Sequence, residues 1–399
     1  MDVRANYSFV PSLFSCIMEK KRKKILISCD SPRSLLDFRG KLIEELTLNH
    51  EVAVFTPKIE QEQIRSTLNR LGVQVYENAL QASNVSIWSD LGYIYQLYRL
   101  IRNIRPDVFF PYTFKPVIYG AMVANFCRVK SITPMLTGLG YNFPETRSKT
   151  TLVQKITRIL LKFSMKANER TKIIFQNKDD YQTLLKRRVI TEKNQAYIVN
   201  GSGVDLDHYT YSKPNLDQIS FLMISRLINA KGINEYYQSA RILKEKFPNV
   251  VFRLIGPFED NIDAIDQELY SKIKLDGTIE YIGLVTDVRT YIAQSSVVVL
   301  PSYYGEGVPR CLLEAMAMGR TLITCNSVGC RETIHPDHAQ ANGFLVPVKN
   351  VRELTAHMQH CIEHPVELIR FGWNGRKYAR EKFDVHVVNR QMLGILEGS

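Results

Sequence analysis

Short apolar runs rich in β-branched residues alternate with stretches of helical period from Lys24 onward, and the alternation restarts after a turn-rich break at Asn200–His208. Repetition of this kind calls for parallel sheets covered by helices, because each parallel strand has to be reached by a crossover. In the first half the pattern predicts strands over Lys24–Cys29, Glu51–Phe55, Val73–Tyr76, Asp107–Phe110, Ser131–Leu136 and Lys172–Phe175. Helices are predicted near Leu35–Leu48, Glu60–Leu71, Leu91–Arg102, Val117–Phe126 and Asp179–Lys186. The second half predicts strands over Ser220–Ile224, Val250–Ile255, Thr278–Ile282 and Val297–Leu300, with helices over Lys231–Phe247, Asp287–Gln294 and Pro309–Met318. The fold class is therefore α/β, with two doubly wound parallel-sheet units over residues 24–199 and 200–384. Residues 1–23 form a basic extension ahead of the first strand; nothing before Met18 has a fold signal, which makes Met18 an alternative start to Met1.

Charge narrows the partners. A net charge of +12 over 399 residues implies an anionic partner: nucleic acid, an acidic membrane surface or a phosphorylated substrate. The basic residues are not interleaved with stacking aromatics and match no nucleic-acid module, so nucleic acid is set aside. Seven dispersed cysteines without a C-x-x-C pair argue against a disulfide framework or a zinc site and for a reducing cytoplasm. No apolar stretch approaches the ~20 residues needed to span a bilayer. The block Lys20–Lys24 follows the mildly apolar Phe9–Met18, the reverse of the order in a secretory signal.

The chemistry gathers behind the apolar run Val297–Leu300. Gly305 and Gly307 leave the backbone bare around Glu306, and a helix predicted to open at Pro309 carries one carboxylate, Glu314, among apolar residues. A helix N-terminus after a glycine-bearing loop suits a phosphate, and carboxylates suit the diols of a sugar. Together these describe a nucleotide-sugar site; the plainer alternative is a buried helix whose Glu314 pairs with an Arg. Ser225-Arg226 and Lys231-Gly232 lie at the end of a strand predicted in the same sheet, where an Arg and a Lys can neutralise a diphosphate without a metal. Asp205-x-Asp207 has the look of a metal-binding pair, but it lies in the glycine-rich break, where Asp205 is expected to cap a turn.

Glu306 and Glu314, with seven residues between them, resemble the E-x7-E element of the retaining family-4 glycosyltransferases. The run Glu306–Arg320 and then Val328-Gly329-Cys330-Arg331-Glu332-Thr333 is similar to the subgroup that builds bacterial capsule and O-antigen sugars. The resemblance extends over almost the whole chain from Lys24 and implies the GT-B fold, two Rossmann-like domains facing a cleft, with the helix Val385–Leu396 of the tail 385–399 crossing back to the first domain. It implies transfer of a hexose or N-acetylhexosamine from a nucleotide sugar, UDP-linked, to a polyprenyl-diphosphate-linked saccharide, without cofactor or metal. Glu306, Arg226 and Lys231 are then the catalytic residues, and Glu314, Gly305, Gly307, Val308, Pro309, Arg310 and Gly256 the donor-binding ones. On the acceptor side the resemblance points to Phe38 and Arg39 after the first strand, Lys115 in Tyr112–Pro116, and Gly138 in Thr137–Tyr141. Without it, Arg39 and Lys115 are expected to be solvated surface charges. The competing reading is a nucleotide-sugar 2-epimerase of the same two-half fold, which lacks the Glu306–Arg320 run.

Residues 149–193 hold twelve Lys or Arg against four acidic residues. In a helix predicted over Leu152–Arg170, Leu152, Val153, Ile156, Ile159, Leu160 and Phe163 share one face, and Lys155, Arg158, Lys162 and Lys166 another. Two readings fit: a helix packed on the core with a solvated basic side, or one lying on an anionic membrane. The second places the protein at the inner face of the plasma membrane.

Overall fold

The computed structural model describes residues 22–80, 87–140, 143, 151–259 and 263–398. The expectations for residues 1–21, Tyr141 and 144–150 lie outside these. The first sheet comprises β1 (Lys24–Ser28), β2 (Glu51–Pro57), β3 (Gln74–Asn78), β4 (Val108–Pro111) and β5 (Ser131–Ile132), all parallel in the order β3-β2-β1-β4-β5. A smaller parallel sheet of β6 (Met135–Leu136), β7 (Lys172–Phe175) and β8 (Gln195–Ile198) continues it through isolated bridges at Tyr112–Met135 and Ile132–Thr171. The second half is one six-stranded parallel sheet of β9 (Ser220–Ile224), β10 (Val251–Ile255), β11 (Glu280–Gly283), β12 (Val297–Leu300), β13 (Thr321–Cys325) and β14 (Gly343–Val346). Its order is β11-β10-β9-β12-β13-β14.

Both large sheets reverse direction of growth once, between β1 and β4 and between β9 and β12. These are the switch points at whose carboxyl ends the ligands of open α/β sheets bind. The strands flanking them are buried on both faces: Val297, Val298, Val299 and Leu300 are inaccessible, as are Leu26 and Ile27. The last helix, Val385–Glu397, leaves the second half and packs Val388, Met392, Ile395 and Leu396 into the same core as Ile25, Leu42 and Ile43.

Local chemistry displaces several predicted boundaries. The helix expected over Leu35–Leu48 is two helices, Pro32–Asp37 and Gly40–Asn49, broken where Arg39 leaves helical geometry at φ −130°, ψ 2°. The strand expected over Ser131–Leu136 is cut into β5 and β6 at Thr133-Pro134, because proline has no N–H for the ladder. Lys231 falls in a short 3₁₀ turn, and the helix begins only at Ile233, since Gly232 turns the chain at φ 78°. Pro309 is the extended residue ahead of the helix Arg310–Ala317 rather than its first turn. The edge strand β8, half-exposed and of mixed polarity, has no signal that stands out from a loop.

Candidate functional site

The two glutamates sit where the second sheet's switch point predicts. Glu306 lies in the loop after β12, and its side chain forms an ion pair with Lys231 from beyond β9, with Ser302 Oγ donating to Oε1 at 3.2 Å. Burial works against the Lys231 charge, yet the neighbouring carboxylate outweighs it and holds the ammonium above the ordinary lysine value. Lys231 also stands 5.5 Å from the centroid of the Tyr304 ring. Glu314 is buried one turn into the following helix. Its Oε1 accepts from Arg310 Nε at 2.7 Å and from Tyr209 O–H at 2.9 Å. Burial raises the Glu314 carboxyl above its ordinary value although both donors oppose it. Among the described residues no protein donor reaches Oε2, so one carboxylate oxygen remains for a ligand hydroxyl. The Arg pairing that a plain buried helix would show is therefore present too, and it leaves the carboxylate half engaged.

Arg226 follows β9 with its side chain half-exposed and 3.5 Å from Glu259. It and Lys231 both act on the Tyr304 phenol, lowering a pKa that burial and Glu306 raise. Arg310, Glu314 and Tyr209 line a cleft of about 830 Å³ shared with Phe38, Asp287 and Arg289. Gly256, at the end of β10, accepts a hydrogen bond from the Tyr281 hydroxyl at 2.9 Å through its carbonyl; nothing in its contacts points to a ligand.

The first half grips the Glu306 loop directly. Gly140 N–H donates to Gly305 O at 3.0 Å. Asn177 Nδ2 donates to Gly307 O at 2.9 Å and to Glu306 O at 3.2 Å. Packing is so close that a Cβ on Gly138 would lie 2.5 Å from Gly305 O, one on Gly307 2.7 Å from Thr137 O, and one on Gly329 2.4 Å from Gly307 O. Val308 is buried against Gly201. An Arg331–Asp179 ion pair at 2.7 Å spans the same seam. Asn177 is in turn held by Asp180, whose Oδ2 accepts from Asn177 Nδ2 at 3.0 Å while Asn177 Oδ1 caps the Asp180 N–H at 2.7 Å. Burial, with Asp179 adding to it, pushes the Asp180 carboxyl up to about 8. Sequence reasoning passes over Asn177, Asp180 and Tyr209; the only local signal at Asn177 is that of an ordinary helix cap.

The residues expected on the acceptor side are placed differently from solvated charges. Phe38 is exposed at the cleft with the Arg310 guanidinium 5.4 Å from its ring centroid. Arg39 is 3% exposed, with Tyr112 at 5.6 Å, Met135 Sδ 3.0 Å from Nη2 and, among the described residues, no partner for Nε. Burial pulls its pKa down to about 10, so it keeps its charge at neutral pH. Lys115 pairs with Asp90 at 2.9 Å, and the Tyr119 hydroxyl binds the same carboxylate at 2.8 Å. The expectation of free surface charges fails because the loops after β1 and β4 fold onto the sheet instead of projecting from it. Asp205 does cap its turn, accepting the N–H groups of Asp207 and His208 at 3.0 Å. Among the described residues no group of three or more His, Cys, Asp or Glu is set to hold a metal ion.

The basic stretch also departs from one of its two readings. The helix Leu152–Ser164 packs inward through Leu161 and Ser164, with Met165 just beyond it, while Leu152, Val153, Ile156, Ile159 and Phe163 face solvent. Of the apolar face only Leu160 is packed against the core; most of that face is turned outward. Among the described residues no helix is long and apolar enough to cross a membrane.

Comparison with known proteins matches both halves. Residues 27–177 fit the glycosyl transferase 4-like family and residues 218–364 the glycosyl transferases group 1 family. The chain is 23% identical over 378 residues, 91% of its length and 96% of the relative's, to a Campylobacter jejuni N,N'-diacetylbacillosaminyl-diphospho-undecaprenol alpha-1,3-N-acetylgalactosaminyltransferase. It is 24% identical over 281 residues, 67% of the chain and 69% of the relative, to an Escherichia coli UDP-Gal:alpha-D-GlcNAc-diphosphoundecaprenol alpha-1,3-galactosyltransferase. Anabaena HepE in complex with UDP and glucose shares the fold with a TM-score of 0.73 at 18% identity, covering 95% of this chain and all of that one. With its two halves matched in order and its two sheets arranged as in GT-B enzymes, the chain belongs to the family-4-like, group 1 glycosyltransferases.

Proposed function

We propose that the chain moves a hexose or N-acetylhexosamine from a UDP-sugar to a polyprenyl-diphosphate-linked saccharide, with retention at the anomeric carbon and without a divalent metal. The supporting observation is the placement of both carboxylates of the E-x7-E element at one switch point, each held by a cation and Glu314 with one oxygen to spare. Glu314 Oε2 takes a ribose hydroxyl. Arg226, half-exposed at the strand end, and Lys231, with N–H donors left after its Glu306 bond, meet the diphosphate. Glu306 meets the transferred sugar, against the main chain of Gly307 and Val308. In the transfer the bond from the sugar C1 to the β-phosphate oxygen breaks and one from C1 to the acceptor oxygen forms on the same face. The departing phosphate oxygen takes the acceptor proton. Charge growing on that oxygen is where fixed cations contribute most.

The acceptor's lipid places the reaction at a membrane. The five exposed apolar residues of the helix Leu152–Ser164, beside Lys155, Lys162 and Lys166, fit an anionic inner-membrane surface. The test is to incubate the protein with UDP-sugars and a prenyl-diphosphate saccharide and to read the product anomer by NMR. An α-linked product from an α-linked donor, formed equally in EDTA, is expected. An inverted product or strict dependence on magnesium or manganese refutes the mechanism, and conversion of the donor alone would favour an epimerase.

A further inference from the structure

Behind the last turn of the helix Leu152–Ser164 lies a groove of about 760 Å³ separate from the cleft. Its apolar part is buried Met165, Val189 and Ile190, and around it stand four exposed cations, Lys162, Lys166, Arg188 and Lys193. Glu192 is the one acid in the lining, and among the described residues none of the four cations pairs with a carboxylate. The loop that carries Lys193 is fixed from within. Asn194 Nδ2 donates to Met165 O at 2.7 Å, and Asn194 Oδ1 accepts from the Thr191 N–H at 2.9 Å. Four like charges held over an apolar floor repel one another, and a bound anion with an apolar part relieves both terms. Lys162 joins the groove to the exposed stripe, since Ile159 and Phe163 adjoin it on the same helix.

We propose that this groove seats the phosphate head group of an anionic phospholipid when the stripe of Ile156, Ile159 and Phe163 enters the bilayer interface. The proposal rests on the membrane reading above and adds a defined head-group site to it. A phosphodiester supplies the charge and its glycerol and upper acyl carbons cover the apolar floor. A free phosphate lacks that second part, and a nucleic acid would find no exposed aromatic lining the groove on which to stack a base.

The experiment is co-sedimentation of the full chain with phosphatidylcholine vesicles, with and without phosphatidylglycerol. The double variant Arg188→Gln/Lys193→Gln is compared with an equal charge loss on the other half, Lys272→Gln/Lys274→Gln. At about 1 kcal/mol per cation near an anionic surface, the groove variant should bind phosphatidylglycerol vesicles more than tenfold less tightly, while the distant variant stays near wild type. The charge-preserving Arg188→Lys/Lys193→Arg should retain most of the binding, which separates the site from a folding defect. Equal losses in both neutral variants would overturn the head-group site and leave only diffuse attraction. Undiminished binding of the groove variant would overturn it too, as would displacement of the vesicles by millimolar inorganic phosphate or RNA. A wild-type chain that ignores phosphatidylglycerol altogether refutes the membrane reading itself.

Discussion

Replacing Asn177 by Ala should slow the transfer without loosening the nucleotide. The substitution removes the helix cap on the Asp180 N–H and both bonds to the Glu306 loop. Loss of a cap costs about 1 kcal/mol, and a buried carbonyl left without its donor, here Gly307 O, about 1–3 kcal/mol. A stability loss of roughly 2–4 kcal/mol follows, seen as a melting temperature lower by roughly 5–10 °C. Asn177 touches the stretch proposed to meet the sugar, whereas Glu314, Arg310 and Tyr209 are held by bonds it takes no part in. Calorimetry should therefore give an unchanged UDP affinity, and initial rates a kcat lower on the order of tenfold, the equivalent of one lost hydrogen bond of about 1.4 kcal/mol in the transition state. Asn177→Ser separates the two effects, because serine keeps the cap but is too short to reach Gly307 O. It should recover about a quarter to a half of the lost stability and none of the rate. A parallel fall in UDP affinity, or a serine variant with wild-type turnover, would refute the argument that the first half positions this loop.

Other substitutions test the remaining assignments. Glu314→Gln should weaken UDP binding ten- to a hundredfold at ~1.5–3 kcal/mol for a hydrogen bond to a charged group, while Glu306→Gln should spare UDP and lower turnover; the reverse pattern in titrations and rates would exchange their roles. Asp180, raised to about 8 by burial, keeps a proton in the folded chain that the unfolded chain loses near ~3.9. Its contribution to stability is then complete below about pH 4 and is lost as pH rises through 8. Asp180→Asn should leave the melting temperature unchanged at pH 4 and raise it relative to wild type above pH 8, and parallel melting curves across that range would contradict this. Arg39→Met, which removes a buried charge with an unpartnered Nε, should melt no lower than wild type and yet raise the KM for the prenyl-diphosphate acceptor. A lower melting point with unchanged KM would make Arg39 scaffold.

The sheets were legible because their signal is chemical and local: Val297–Leu300 cannot face water, and Ser220–Ile224 and Lys172–Phe175 are bounded by turn residues on either side. The glutamates were legible because a carboxylate in an apolar helix and one in a glycine-bracketed loop stand out from their surroundings. Asn177 was not, because its partner Gly307 is 130 residues away and a residue that caps a helix looks the same whether or not its amide also reaches across a cleft. The burial of Arg39 was equally hidden. It follows from the break between two short helices, and periodicity reads through a break that leaves the apolar spacing nearly intact. The exposed stripe at Ile156 and Ile159 shows the converse limit, since the pattern gives a face but not which way it is turned.

The contact of Gly138, Gly307 and Gly329 bears on how such an enzyme can change its substrate. A side chain on any of them would land on main chain belonging to another loop, so neither a smaller nor a larger residue is available there, and the three positions cannot drift singly. Variation in the sugar that is accepted must instead enter through side chains around this fixed patch, such as Tyr304, which is only partly buried and stands beside the Lys231 side chain. A library randomised at Tyr304 explores specificity with the glycine contacts intact, whereas one randomised at the glycines mainly samples how far the two halves can be forced apart.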